Sequence, residues 1–123
     1  MTVRDVRDLL EAEVLCGEDR LDEEIKGCFA SDFMSDILAF ARDQNLLITG
    51  MLNPQVIRTA EMVDMPFIVF VRGKVPNEQM IELAEESGMV LLASRFRMYS
   101  ACGILFANDP NRKPCKTLYS DQK

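Results

Sequence analysis

The feature that most constrains this chain is a rhythm of three short runs, residues 46–49, 67–71 and 89–93, that are apolar at nearly every position. A strand with one wet face alternates apolar and polar residues. A run that does not alternate must be covered on both faces, which is the position of a central strand in a sheet flanked by helices. Between the runs lie stretches of helical periodicity. Met34, Ile37, Leu38 and Ala41 form one apolar stripe, and Val56, Ile57, Ala60 and Val63 a second. Met80, Ile81, Leu83 and Ala84 form a third, and Met98, Tyr99, Cys102 and Leu105 a fourth. Strand–helix alternation of this kind predicts an α/β fold, a mainly parallel β-sheet flanked by helices with right-handed crossovers.

Turn and cap residues punctuate the pattern. Thr2 is placed to cap a first helix with Val3, Val6, Leu9 and Leu10 on its inner face. Residues 12–16 read as a strand ended by Gly17, 18–24 as an acidic surface loop, and 25–30 as a second strand. Ser31 or Asp32 is expected to cap the second helix. Asn53-Pro54 opens the third with a cap and a first-turn proline, and Pro76 or Asn77 opens the fourth, which stops at Gly88. Ser94 is expected to cap the last. The predicted order is αββαβαβαβα. With 123 residues in all, the length suits one domain, placed at 1–108. Residues 109–123 contain two prolines and many polar side chains, and read as a C-terminal tail that need not be ordered.

Charge and missing residue types narrow the function. Fourteen Lys and Arg against 20 Asp and Glu give a formal net charge of −6. Nucleic-acid backbones and anionic membranes need clustered cations and are disfavoured, while a small anion in a local pocket stays open. The longest apolar runs are about five residues, far below the ~20 needed to cross a bilayer. The start, Met-Thr-Val-Arg-Asp, carries no apolar export segment, so the expected compartment is the cytoplasm. Histidine is absent, which removes the commonest general base and metal ligand. There is no Walker-type loop, no Gly-x-Gly-x-x-Gly and no Gly-x-Ser-x-Gly. No catalytic residue and no cofactor are assigned.

The cysteines, Cys16, Cys28, Cys102 and Cys115, include no Cys-x-x-Cys pair, and their spacings of 12, 74 and 13 positions match no zinc or iron–sulfur ligand motif. They read as free thiols, three of them buried, with no metal. Cys16 and Cys28, on consecutive strands, are expected near each other. Cys102 and Cys115 have no reason to join them.

In a parallel sheet the ligand crevice lies at the carboxyl ends of the strands. Here that edge comprises residues 30–32, 49–53, 72–74 and 94–95. Helix N-termini are expected to aim open N–H groups at it, with charge from Arg72, Lys74 and Arg95. The candidate binding residues for a small anion are Ser31, Asp32, Thr49, Gly50, Asn53, Arg72, Gly73 and Ser94. In the alternative, Ser31, Asn53 and Ser94 only cap helices and the cations are solvated. The Ser31/Ser35 and Asp32/Asp36 pairs would share helix faces and suit either a divalent cation or a cap with a solvated acid. Met51, Leu52 and Phe29 stand at loop or strand-end positions, where a second copy of the chain would cover them.

The run Gly73-Lys74-Val75-Pro76-Asn77, followed by Leu83-Ala84 and closed by Ser87-Gly88, resembles a segment of the DRTGG domain family. The resemblance extends over about residues 3–107. The fold is also similar to that of the N-terminal domain of HPr kinase/phosphorylase, and residues 31–37 resemble small standalone members encoded near iron-only hydrogenases. The motif that names the family is reduced to Gly50 in Gly50-Met51-Leu52 and Gly73 in Val71-Arg72-Gly73. The missing Asp and Arg shift the expectation from a family ligand site toward a protein–protein role. The resemblance implies a non-catalytic regulatory or protein-interaction module that forms a homodimer. The alternative is a sensor of a nucleotide or another small anion at the strand ends. A third reading is an accessory protein of hydrogenase or iron–sulfur metabolism.

Overall fold

The computed structural model describes residues 1–116, so residues 117–123 of the expected tail lie outside the described residues. Its strands are β1 (Glu13–Cys16), β2 (Cys28–Ala30), β3 (Leu46–Thr49), β4 (Phe67–Phe70) and β5 (Val90–Ala93). Its helices are α1 (Val3–Leu9), α2 (Met34–Phe40), α3 (Pro54–Met62), α4 (Glu78–Glu86) and α5 (Met98–Asn108). The strands form one sheet in the order β1-β5-β4-β3-β2. β2 to β5 are parallel, and β1 pairs antiparallel with β5. The α/β fold and mainly parallel sheet are as the apolar runs predict.

Right-handed crossovers in a sheet that grows in one direction place every crossover helix on the same face. The two cores have that arrangement. Leu47, Ile68, Phe70 and Leu91 pack with Ile37 of α2, Ile57 of α3 and Met80 of α4. Their strand neighbours Leu46, Ile48, Phe67, Val69, Val90 and Leu92 pack on the opposite side with Val3 and Val6 of α1 and Ala101 and Leu105 of α5. Successive side chains of a strand point to opposite faces, so each apolar run feeds both cores.

Several local expectations change. The second strand covers three residues rather than 25–30. β1 and β2 lie at opposite edges, so the chain between them must traverse the sheet. Leu21 and Ile25, 5% and 6% exposed, are buried in the α1/α5 core and pin that traverse. The acidic loop therefore has an apolar anchor, and it also holds a short 3₁₀ turn, Glu18–Arg20. Leu38 and Tyr99, expected to face inward, are exposed. Tyr99 is two positions from the inward Ala101, about 200° around the helix. Thr2, Asn53 and Asn77 cap α1, α3 and α4 through their side chains. Ser31, Asp32 and Ser94 do not cap. The N-cap positions are Phe33 and Arg97, because the hydroxyls and the carboxylate have other partners.

Candidate functional site

Because β2 to β5 are parallel, the loops that follow them share one edge of the sheet. Asp32 lies two residues past β2 and reaches the loops after β3 and β4. Its Oδ1 accepts hydrogen bonds from the Gly50 N–H at 2.7 Å and the Thr49 hydroxyl at 3.2 Å. Its Oδ2 pairs with Arg72 Nη1 at 3.2 Å. Arg72 Nη2 donates to the Gly50 carbonyl at 3.3 Å, so one carboxylate and one guanidinium clip three loops together. Burial by itself would raise the Asp32 pKa. The Gly50 N–H, the Thr49 hydroxyl and the Arg72 charge together outweigh it and hold the carboxyl below its ordinary value.

The arginine is held from its backbone as well. Arg72 and Gly73 have φ of 66° and 71°, and the Lys74 N–H donates to the Val71 carbonyl at 3.3 Å. Two positive φ values in a closed four-residue turn are the signature of type I′, a conformation natural to glycine and costly for arginine. The Arg72 and Gly73 N–H groups donate to the carbonyls of Phe96 and Ser94, at 2.7 and 3.0 Å.

Of the candidate residues, Asp32, Thr49, Gly50 and Arg72 come together in one cluster, with Gly73 in the turn beneath. The other three are engaged elsewhere. Ser31 Oγ accepts from the Phe33 N–H, and Asn53 Oδ1 from that of Gln55. Ser94 is buried, donates to the Leu10 carbonyl at 2.8 Å and accepts from the Phe96 N–H. The N–H groups of Phe33, Gly50, Gln55, Arg72, Gly73 and Phe96 are thus hydrogen-bonded within the chain, that of Gly50 to the Asp32 carboxylate. The stacked Ser31/Ser35 and Asp32/Asp36 pairs do not form, since α2 begins at Met34 and leaves residues 31 and 32 outside the helix.

Three exposed apolar side chains stand on the loops that carry the clip. Phe33, Leu52 and Val75, each within three residues of a clip residue, are 67%, 41% and 55% exposed. Leu52 was expected there. Phe33 and Val75 fall on no apolar stripe, and that off-stripe position was the one signal available for them. Met51 and Phe29 are partly covered by the α2–α4 core.

All four cysteines are free thiols, but only Cys16 is buried, where three were expected. Cys28 and Cys102 are half-buried and Cys115 is exposed. The expected nearness of Cys16 and Cys28 is overturned. Cys16 is on β1 and Cys28 on β2, at opposite sheet edges, and Cys16 Sγ donates to the Met89 carbonyl at 3.5 Å. Cys28, Cys102 and Cys115 instead line one cavity. Among the described residues no three Cys, Asp or Glu side chains are grouped to hold a metal ion, and no helix is long and apolar enough to cross a membrane.

Comparison with known proteins supplies a fold likeness. No family model and no curated protein matches the sequence. A solved structure of the CBS and DRTGG domains of the regulatory region of Clostridium perfringens pyrophosphatase, complexed with its activator diadenosine tetraphosphate, superposes with a TM-score of 0.71 at 15% identity. The match covers 85% of this chain and 45% of that one, so the chain spans less than half of the pyrophosphatase region.

Proposed function

We propose that this chain is a non-catalytic regulatory module of the DRTGG type, carried by residues 1–108, that acts as a homodimer through its strand-end edge. The observation that carries this reading is the closed Asp32–Gly50–Arg72 clip on loops that also expose Phe33, Leu52 and Val75. A cation already paired within its own chain costs less to cover than a bare one. The exposed apolar side chains on the same loops gain by being covered. An isologous contact places the same patch on both partners. The likeness to a region described as regulatory supports the same class. A cytoplasmic location fits this reading. A role in hydrogenase or iron–sulfur metabolism gains no support from the placement of the thiols. Light scattering on the native chain is the test. A dimer mass at micromolar concentration, shifted to monomer by Leu52→Glu, is expected. A monomer mass at high micromolar concentration rejects it.

A second reading, a sensor of nucleotides or other anions at this edge, is favoured by the activator bound to the pyrophosphatase region. A ligand here must displace Asp32 from its donors. Titration with AMP, ATP and phosphate, followed by amide NMR, separates the readings. Sensing requires saturable shifts at Gly50 and Gly73 that strengthen in Asp32→Ala and weaken in Arg72→Ala.

A further inference from the structure

On the α1/α5 face, beside the edge strand β2, the chain forms an open cavity of about 450 Å³. Its origin lies in the topology. α5 packs against β3, and the inner face of β2 falls beyond it. The chain after α5 folds back over that face, and Asn111, Arg112, Lys113 and Cys115 form part of the wall. Asp109 builds the return. Its Oδ1 accepts from the Asn111 N–H at 2.9 Å, and its carbonyl accepts from the Arg112 N–H at 3.2 Å and Arg112 Nη1 at 3.1 Å.

The cavity has two chemical halves. Cys28, Ile48, Cys102, Leu105 and Phe106 make an apolar floor, and Lys26, Arg112 and Lys113 bring cations to the wall. Burial, followed by the nearby Asp109 and Cys102, pushes the Cys28 thiol up to about 12. Ile48 and Leu105 are buried and Cys28 and Cys102 half-buried, so the floor suits an uncharged body. Asp43 and Asp109 share the wall with the three cations. The small surplus of positive charge, in a chain of net charge −6, matches one anionic group and not a polyphosphate. The volume lies within the ~300–1,000 Å³ usual for small-molecule sites.

We propose that this cavity binds a small amphipathic anion, with a flat or aliphatic apolar body on the Cys28–Ile48–Leu105 floor and a single carboxylate, sulfonate or phosphate monoester at Lys26, Arg112 and Lys113. The site is separate from the Asp32 clip, and the failure of either leaves the other standing.

The test uses the full chain with two probes, 8-anilinonaphthalene-1-sulfonate and the uncharged N-phenyl-1-naphthylamine, followed by fluorescence and amide NMR. Saturable binding with shifts clustered on Gly27, Ile48, Cys102 and Leu105 is expected. Filling the floor with Cys102→Trp weakens both probes by about tenfold or more. Lys113→Glu weakens the sulfonate about threefold and leaves the uncharged probe unchanged. If Cys102→Trp loses its cooperative melt, Ala30→Trp, on the same wall, replaces it. Absence of saturable binding, shifts away from these residues, or affinities that neither substitution moves would overturn the proposal.

Discussion

The Arg72 guanidinium lies directly across Gly50, with Nη2 3.3 Å from the Gly50 carbonyl oxygen, where a β-carbon at position 50 would collide with it. Gly50 is thus required by a close approach and not by a left-handed backbone, in contrast to Gly73 with its φ of 71°. The obstructing group is the mobile end of a long side chain. A substitution at 50 therefore acts on the clip before it acts on the fold.

Gly50→Ala is expected to expel the guanidinium and break the Asp32–Arg72 pair while the domain stays folded. The partners are 33% and 41% exposed, so the stability lost should be under about 1 kcal/mol. Chemical denaturation, read beside the Arg72 side-chain NMR signals, checks both halves of the statement. Global unfolding would show that the glycine is needed for the backbone.

Arg72 carries opposing effects in one residue. Its φ of 66° costs about 1–2 kcal/mol for a residue with a β-carbon. Arg72→Ala keeps that strain and loses the pair, whereas Arg72→Gly loses the pair and relieves the strain. The glycine variant should be more stable than the alanine variant by about 1 kcal/mol in urea denaturation. Equal stabilities would mean that the turn relaxes when the arginine is removed.

Acid should reveal the Asp32 carboxylate. Its folded pKa is below the ordinary value, so its contribution is fully present above the unfolded pKa of about 4 and is lost as pH falls through the folded value. The stability difference between the native chain and Asp32→Asn should therefore shrink between about pH 5 and pH 2. A difference that stays constant across that window contradicts the depressed pKa.

Ser94 should behave as a structural residue. Its buried hydroxyl ties β5 to the end of α1 through the Leu10 carbonyl. Ser94→Ala leaves that carbonyl without this donor, and a loss of about 1–3 kcal/mol is expected. The same variant should leave any response to added phosphate unchanged. A selective loss of that response, with stability intact, would return Ser94 to the ligand site.

Val69, fully buried between β3 and β5 in the α1/α5 core, should not tolerate charge. Val69→Asp places an unpaired carboxylate where burial costs several kcal/mol, against a total stability of roughly 5–15. Loss of the cooperative melt is expected by circular dichroism, and a cooperative, native-like variant would contradict the two-core architecture.

The sequence by itself determined β3, β4 and β5, the helices between them and the side-chain caps at Thr2 and Asn53, and narrowed the fourth helix's start to Pro76 or Asn77. Each of these is a matter of periodicity or of neighbours within four positions, and burial leaves that record in residue type. Short runs such as 46–49 announced coverage on both faces without saying what would cover them. Only the tertiary structure set β1 against β5 in antiparallel and sent β2 to the far edge, which separated Cys16 from Cys28 and drew Leu21 and Ile25 into the core. It also joined Asp32 to Arg72 across 40 positions and folded residues 109–115 back beside Cys28. Strand order and register decide such meetings. Each bond in them contributes on the order of 1 kcal/mol, too little to impose a pattern on the residues nearby, so the candidate site became visible only once the sheet was assembled.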